Sequence, residues 1–169
     1  MEVSGTQPDN CCDINTDSRH EEVITENEVC KEAHRQLFNF NENVYMFNNG
    51  NLYSQIEARV KAGTHRLHLT GTWSWILGIA LHKEEPPEKG EAFYLLKNLG
   101  MKEAELQPFH TSDINDIFYS LYYGKRFDVL RRLCHRAKRE MEKRLNNPSI
   151  TIHCHLVATE ITQIVASSL

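Results

Sequence analysis

Histidines in an alternating stretch are the first residues of this chain that could do chemistry. His153-Cys154-His155 lies in SITIHCHLV (residues 149–157), whose β-branched alternation predicts a strand. Side chains two residues apart in a strand share a face, so His153 and His155 point the same way. That is the geometry of a metal-binding pair in a His-hydrophobic-His nuclease, and these two are our metal-ligand candidates. The interpretation that we prefer is a pair of surface or interface histidines on an edge strand, because two ligands do not make a metal site, and we therefore predict no bound metal.

A second histidine motif, His68-Leu69-Thr70, would fit one half of a two-histidine phosphoesterase, but the chain has no second copy. The sequence also has no nucleophile elbow, no phosphate-binding glycine loop and no zinc-protease helix motif. We therefore predict no dedicated catalytic site and no cofactor. The five cysteines are odd in number and form no CxxC pair, which indicates free thiols; the adjacent Cys11 and Cys12 read as an exposed pair.

Two tryptophans suggest contact with nucleic acid. Trp73 and Trp75 flank Ser74 at the start of a predicted helix. The free N–H groups of a helix N-terminus favour phosphate, and an exposed indole can stack on a base. The alternative is that at least one of the two indoles packs in the core.

A strongly basic helix is predicted over residues 125–145, where apolar residues recur at spacings of three and four. The segment carries nine cations and three anions, so its polar face could follow a phosphate backbone. The alternative is an ordinary solvated helix face. The candidate phosphate contacts here are Arg131, Arg132, Arg136, Lys138 and Arg139.

Composition separates the chain into an acidic start and a mildly basic remainder. The 169 residues carry a net charge of −4, and residues 1–32 hold nine acids against two bases. Few large apolar residues occur there, so we expect residues 1–34 to be disordered or loosely structured. Residues 35–165 are expected to form a single α/β domain, followed by a tail over 166–169. No apolar run approaches the roughly 18 residues that span a bilayer, and we expect an intracellular protein, nuclear rather than cytoplasmic.

The predicted elements alternate between strand and helix. Strands are expected at 43–47, 66–70 and 149–157, with a further short strand at 104–109 and a possible closing strand in 159–169. Helices are expected at 52–62, 73–82, 91–98, 114–123 and 125–145. If the first two strands are parallel neighbours, their connection should be right-handed. This order predicts a small mixed sheet with packed helices and an enlarged helical middle region.

Two segments resemble the Alba family, most closely the eukaryotic subunits of ribonuclease P and MRP. They are NLYSQIEARVKAGTHRLHLTGTWSWILGIAL (residues 51–81) and KRLNNPSITIHCHLV (residues 143–157), together about 45 residues. The chain departs from the family pattern after Gly71, where Trp73-Ser74-Trp75 replaces small and basic residues. The resemblance implies an Alba-like fold, dimerisation with a copy or a related α/β subunit, and RNA or DNA binding without catalysis.

Our leading hypothesis is therefore a non-catalytic nucleic-acid-binding subunit of a ribonucleoprotein or chromatin-type complex, acting on RNA rather than DNA. The alternatives are a protein-interaction module that has lost nucleic-acid binding and, less favoured, a metal-dependent nuclease using His153 and His155. Besides the basic helix, the expected nucleic-acid contacts are Asn48, Asn49, Lys61, Arg66, Thr72, Trp73, Ser74 and Trp75.

Overall fold

A computed structural model describes residues 21–169 of the chain, and its five strands form one sheet. The sheet order is β2-β1-β3-β4-β5; the first four strands are parallel, and β5 runs antiparallel to β4. The predicted α/β class with a small mixed sheet is confirmed. The strands are β1 (Glu21–Thr25), β2 (Tyr45–Phe47), β3 (Arg66–Gly71), β4 (Thr151–Ala158) and β5 (Gln163–Ser167).

Seven α-helices occur in the described part of the chain, and five of them fall between β3 and β4, which confirms the enlarged helical middle region. Short 3-10 turns precede β2 and follow α5. The helices are α1 (Glu28–Phe38), α2 (Leu52–Lys61), α3 (Trp73–Ala80), α4 (Lys89–Asn98), α5 (Glu103–Leu106), α6 (Ile114–Tyr123) and α7 (Phe127–Leu145).

The strand registers divide the sheet into two faces of different chemistry. One side, which we call the core face, carries Leu67 and Leu69 of β3 beside Ile152 and Cys154 of β4. The other, which we call the histidine face, carries His68 and Thr70 of β3 and the alternate residues of β1 and β4. The residues of the histidine face used below are Glu21, His68, Thr70, His153 and His155.

The core face provides most of the apolar burial. Leu67, Leu69 and Ile152 are fully buried beneath α3 and α7, whose Leu77 and Leu133 are also fully buried. Burying a leucine or isoleucine side chain contributes roughly 1.5–3 kcal/mol, so this layer dominates folding stability. This packed layer supports the sheet, and the histidine face is the opposite side of that sheet.

In the described part of the chain, α1 packs on the histidine face. The Asn27 side chain caps its start by accepting a hydrogen bond from the Cys30 N–H at 3.0 Å. Cys30, Ala33 and His34 are buried, and their spacing places them on one side of the helix. The histidine in this stripe therefore points at the sheet.

Three expectations about elements need correction. Part of the segment expected to be disordered, residues 1–34, is structured: β1 is an inner strand of the sheet, and α1 begins before residue 34 and continues past it. The first 20 residues of that segment lie outside the described part of the chain. Val23 and Ile24 of β1 are fully buried, which supplies the apolar contact that the acidic composition concealed. The strand expected at 104–109 is instead α5 and a 3-10 turn. The strands at 43–47 and 66–70 are parallel but not neighbours, because β1 lies between them.

The remaining expectations concern the cysteines and membranes. Cys30, Cys134 and Cys154 are free thiols, as predicted, and the structure shows that all three are buried. Cys11 and Cys12 lie outside the described residues. Within residues 21–169 no helix has both the length and the apolar character needed to cross a membrane.

Candidate metal centre

Three buried histidines converge on the histidine face of the sheet. The His34 Nε2 atom of α1 lies 3.0 Å from the His68 Nδ1 atom of β3. The same His68 Nδ1 atom lies 2.9 Å from the His155 Nε2 atom of β4. All three residues are at most 2% exposed. One ligand atom from each therefore faces a common point inside the protein, and we call this group the triple-histidine cluster.

The spacing of these nitrogens suits a transition-metal ion. The three ligand atoms all lie within 4.8 Å of one another. Nitrogens bound to tetrahedral zinc at about 2.0–2.1 Å are roughly 3.3 Å apart, so small side-chain shifts would accommodate the ion. Imidazole is a favoured ligand of Zn²⁺, Cu²⁺, Ni²⁺ and Fe²⁺.

The outer ring nitrogens of all three histidines also have oxygen partners. His34 Nδ1 lies 3.0 Å from the Tyr45 hydroxyl, and His155 Nδ1 lies 3.0 Å from the Ser167 hydroxyl. His68 Nε2 lies 3.0 Å from the Glu21 Oε1 atom. Metal-binding histidines nearly always carry such a partner on the nitrogen that faces away from the metal. The second layer that orients metal ligands is therefore complete.

Proton positions favour a cation at the centre. A carboxylate only accepts hydrogen bonds, so neutral His68 donates its Nε2 proton to Glu21 and keeps a lone pair on Nδ1. Both His34 and His155 approach that single lone pair. One lone pair accepts one well-aligned N–H, so the second contact is poorly satisfied. A metal ion would accept a lone pair from each ring and remove this conflict.

Burial keeps the three imidazoles neutral, which is the form that binds metal. Burial, with the neighbouring His68, lowers the pKa of His34 to about 3. Burial and the surrounding histidines hold the pKa of His155 well below its ordinary range. Burial also lowers the pKa of His68, and the hydrogen bond that its ring donates to Glu21 opposes that shift. At neutral pH the three rings therefore carry no positive charge that would repel a metal ion.

Two phenylalanine rings cover the triple-histidine cluster. The Phe38 ring stacks on His34 with centroids 4.4 Å apart and lies 5.1 Å from the His155 ring. The Phe40 ring is 5.4 Å from the ring of His68. This apolar cover lowers the local dielectric and restricts access to small molecules.

The two metal candidates from the sequence have different positions. His155 belongs to the triple-histidine cluster, whereas His153 does not share the common point of its ligand atoms. His153 lies beside it, with its ring centroid 5.1 Å from that of His68, and burial lowers its pKa to about 4. The intervening Cys154 is on the core face, away from the cluster.

The tryptophans predicted to contact nucleic acid are largely packed. Trp73 is 3% exposed and its Nε1–H donates to the Ile114 carbonyl at 3.1 Å, so its ring cannot stack on a base. Trp75 is partly buried against the core and packs closely over Gly71. The alternative of core packing therefore holds for Trp73.

Three of the residues predicted to contact nucleic acid lie close together, but they share their cavity with acidic side chains. Asn48, Ser74 and Trp75 line a cavity of about 170 Å³ at the carboxyl edge of the sheet, together with Glu26 and Glu84. The backbone N–H of Thr72, the residue directly before α3, donates to a Glu26 carboxylate oxygen at 2.7 Å. A carboxylate thus already occupies the helix terminus that was expected to bind phosphate.

The other predicted contacts are dispersed. Lys61 and Arg66 lie at the amino edge of the sheet, across the length of β3 from Thr72. Asn49 is exposed in the loop before α2. On α7, acidic side chains pair with three of the cations, while Arg131 and Arg139 are exposed. The paired cations are Arg132 with Asp128, Arg136 with Glu140 and Lys138 with Glu142.

Sequence reasoning missed several residues of the triple-histidine cluster and its second layer. His34 was overlooked because its segment was assigned to the acidic start, although Cys30, Ala33 and His34 already show helical spacing. His68 was noted for a different motif. The hydroxyls of Tyr45 and Ser167 carry no sequence signal of this role.

Comparisons of the chain with protein-family models, with curated proteins and with solved structures give no significant match. The Alba resemblance therefore stays a prediction. The functional assignment rests on the geometry of the triple-histidine cluster.

Proposed function

We propose that this chain is a metalloprotein in which His34, His68 and His155 hold one divalent transition-metal ion, with zinc the expected occupant. One observation carries the proposal: three neutral imidazoles converge while each outer nitrogen is bonded to an oxygen. A buried histidine with a purely structural role needs its own hydrogen bonds. It does not need the nitrogens of two other imidazoles to approach its single lone pair, as they approach that of His68.

Three protein ligands distinguish this centre from a structural zinc site. Structural sites take four protein ligands, commonly with cysteine, whereas catalytic sites use three and leave one position for water or substrate. No cysteine or carboxylate joins the group among residues 21–169. We therefore infer a centre of the catalytic type, whose chemistry would be activation of a bound water.

The test is a metal titration of the metal-free protein. Zinc binding is measured by competition with a chromophoric chelator, and bound metal is counted by mass spectrometry after dialysis. We expect about one tight equivalent, lost in His68→Ala and His155→Ala. The control is His135→Ala, which alters an exposed residue of α7. Wild-type protein that binds no zinc, cobalt, nickel, copper or iron would refute the proposal.

Nucleic-acid binding is the second candidate function. The supporting observation is that Arg131 and Arg139 are exposed on α7, and no ion pair involves either of them within residues 21–169. A double Arg131→Gln, Arg139→Gln variant should weaken binding to single-stranded RNA and reduce its salt dependence. Wild-type protein that fails to bind single- or double-stranded RNA or DNA at low salt would eliminate this candidate.

A further inference from the structure

One buried hydroxyl beside the triple-histidine cluster has no hydrogen-bond partner among residues 21–169. Thr70 is fully buried, and its Oγ1 atom forms no hydrogen bond to any described residue. Buried hydroxyls are nearly always satisfied, so an orphaned one in a well-packed sheet calls for an unseen partner.

The position of Thr70 places it at the edge of the cluster. It follows His68 by two residues on β3, so both side chains lie on the histidine face. Its direct partner on β4 is His155, and its partner on β1 is the buried Thr25. The orphaned hydroxyl therefore neighbours two of the three metal ligands.

Thr25 does not satisfy this hydroxyl. The Thr25 Oγ1 atom donates its proton to the Asn27 carbonyl at 2.9 Å and forms no hydrogen bond with the Thr70 Oγ1 atom. The neighbour His155 offers its Nε2 atom to the cluster and has Ser167 on its Nδ1 atom. The Thr70 hydroxyl therefore has an unmet hydrogen bond beside two of the three residues of the triple-histidine cluster.

We propose that an exchangeable water occupies the fourth position of the metal centre and is held there by a hydrogen bond to the Thr70 hydroxyl. This inference rests on the proposed metal centre. The water donates one O–H to Thr70 Oγ1 and gives a lone pair to the metal, so one molecule satisfies the hydroxyl and completes the metal coordination. Thr70 is then a positioning residue for the metal-bound ligand.

The class of ligand that can replace this water follows from the cover of the site. Phe38 and Phe40 pack over the cluster, and the three histidines are buried. A covered and buried centre of this kind favours a small ligand with one donor atom. We assign small monodentate anions, such as azide or thiocyanate, as the exogenous ligands of the centre.

His153 is the competing fourth ligand. Its Nδ1 atom is also buried without a partner among the described residues. Its ring nitrogens, however, are not within the 4.8 Å group formed by the other three histidines, and it is only partly buried. The test must therefore separate a protein ligand from an exchangeable one.

The experiment uses the full chain loaded with Co²⁺, whose visible absorption reports its coordination. Addition of azide to the wild-type protein should change the spectrum in a saturable way. Thr70→Val should keep one equivalent of Co²⁺ but alter the spectrum and change the azide affinity at least about threefold, since one hydrogen bond to the exchanging position is lost. Thr70→Ser should restore the wild-type values, and the exposed Thr151→Val is the matched control.

The outcomes distinguish the two proposals. A wild-type chain that binds no Co²⁺ refutes the metal centre itself. Bound Co²⁺ whose spectrum ignores azide, or a Thr70→Val spectrum and azide affinity equal to wild type, overturns the assignment of Thr70. Loss of the four-coordinate spectrum in His153→Phe would identify His153 as the fourth ligand instead. If Thr70→Val does not fold, the azide response of the wild-type protein still decides whether the position is exchangeable.

Discussion

The Oε1 atom of Glu21 lies 3.0 Å from the Nε2 atom of His68, on the side of the imidazole that faces away from the other two histidines. Because a carboxylate accepts and cannot donate here, this contact fixes the proton on Nε2 and directs the Nδ1 lone pair into the cluster. A carboxylate in this position also raises the basicity of a metal-binding imidazole.

The Glu21 contact gives the first prediction. Glu21→Gln keeps an acceptor but loses the charge, so zinc affinity should fall about 10- to 100-fold with the fold intact. The matched control is Glu22→Gln, since Glu22 lies on the core face and pairs with Arg59 instead. Equal zinc affinities for Glu21→Gln and wild type, measured by chelator competition, would show that this contact does not support a metal ligand.

Metal should stabilise the folded chain, because the three ligands come from α1, β3 and β4 and meet only after folding. With free zinc at 100 times its dissociation constant, the free energy of unfolding should rise by about 2.7 kcal/mol. Thermal unfolding followed by circular dichroism, with and without zinc, measures this. The rise should vanish in His34→Ala, and an equal rise in that variant would place the metal elsewhere.

The metal-free protein should lose stability below pH 6.5. The folded chain holds the pKa of His34 near 3 and of His153 near 4, whereas unfolded histidine titrates near 6.5. Below 6.5 the unfolded chain therefore binds protons that the folded chain refuses, and the free energy of unfolding falls with pH. The other polar and charged groups that act on the His34 ring are Tyr45 and His68. Those that act on the His153 ring are His68, Lys138, Arg66 and Glu21.

Urea unfolding between pH 6.5 and 5 isolates this effect from most carboxylate titration. We expect a decline over that window in the metal-free chain and a smaller one in His34→Gln, which removes one buried imidazole. A free energy of unfolding that stays constant from pH 6.5 to 5 in the wild-type protein would contradict the burial of neutral histidines.

The turn from β3 into α3 should tolerate no side chain at Gly71. A Cβ atom there would lie 2.0 Å from the Trp75 Cε3 atom, so the indole must move. Gly71→Ala should lower the free energy of unfolding by about 1–3 kcal/mol, the range for overpacking. The loss should shrink when Trp75→Leu is combined with it, and a double-mutant cycle of urea unfolding measures that coupling. Additive effects would mean that the two residues do not meet.

Local pattern predicted most of the elements and part of the triple-histidine cluster. Apart from residues 104–109, the helices and strands after residue 43 appear where periodicity placed them, because their apolar faces pack in the core. The alternating pattern of residues 149–157 correctly placed His155 on the same face of β4 as His153. The strand predicted for residues 104–109 was wrong, because the mixed apolar and polar residues of this segment suit a short helix as well as a strand.

The centre itself depends on contacts that local pattern does not encode. His68 and His155 are 87 residues apart and meet only because β3 and β4 are adjacent and parallel. His34 joins them because β1 inserts between β2 and β3, which carries α1 over the histidine face. The acidic composition of the first 34 residues led to a prediction of disorder, although Val23 and Ile24 of β1 are fully buried.

The most direct test of the metal centre is X-ray absorption spectroscopy at the zinc edge on the zinc-loaded full chain. The triple-histidine cluster predicts a first shell of nitrogen and oxygen at about 2.0–2.1 Å, with the multiple scattering of three imidazoles and one light fourth ligand. A sulfur neighbour at about 2.3 Å, or fewer than three imidazoles, would contradict the assignment of His34, His68 and His155 as the ligands.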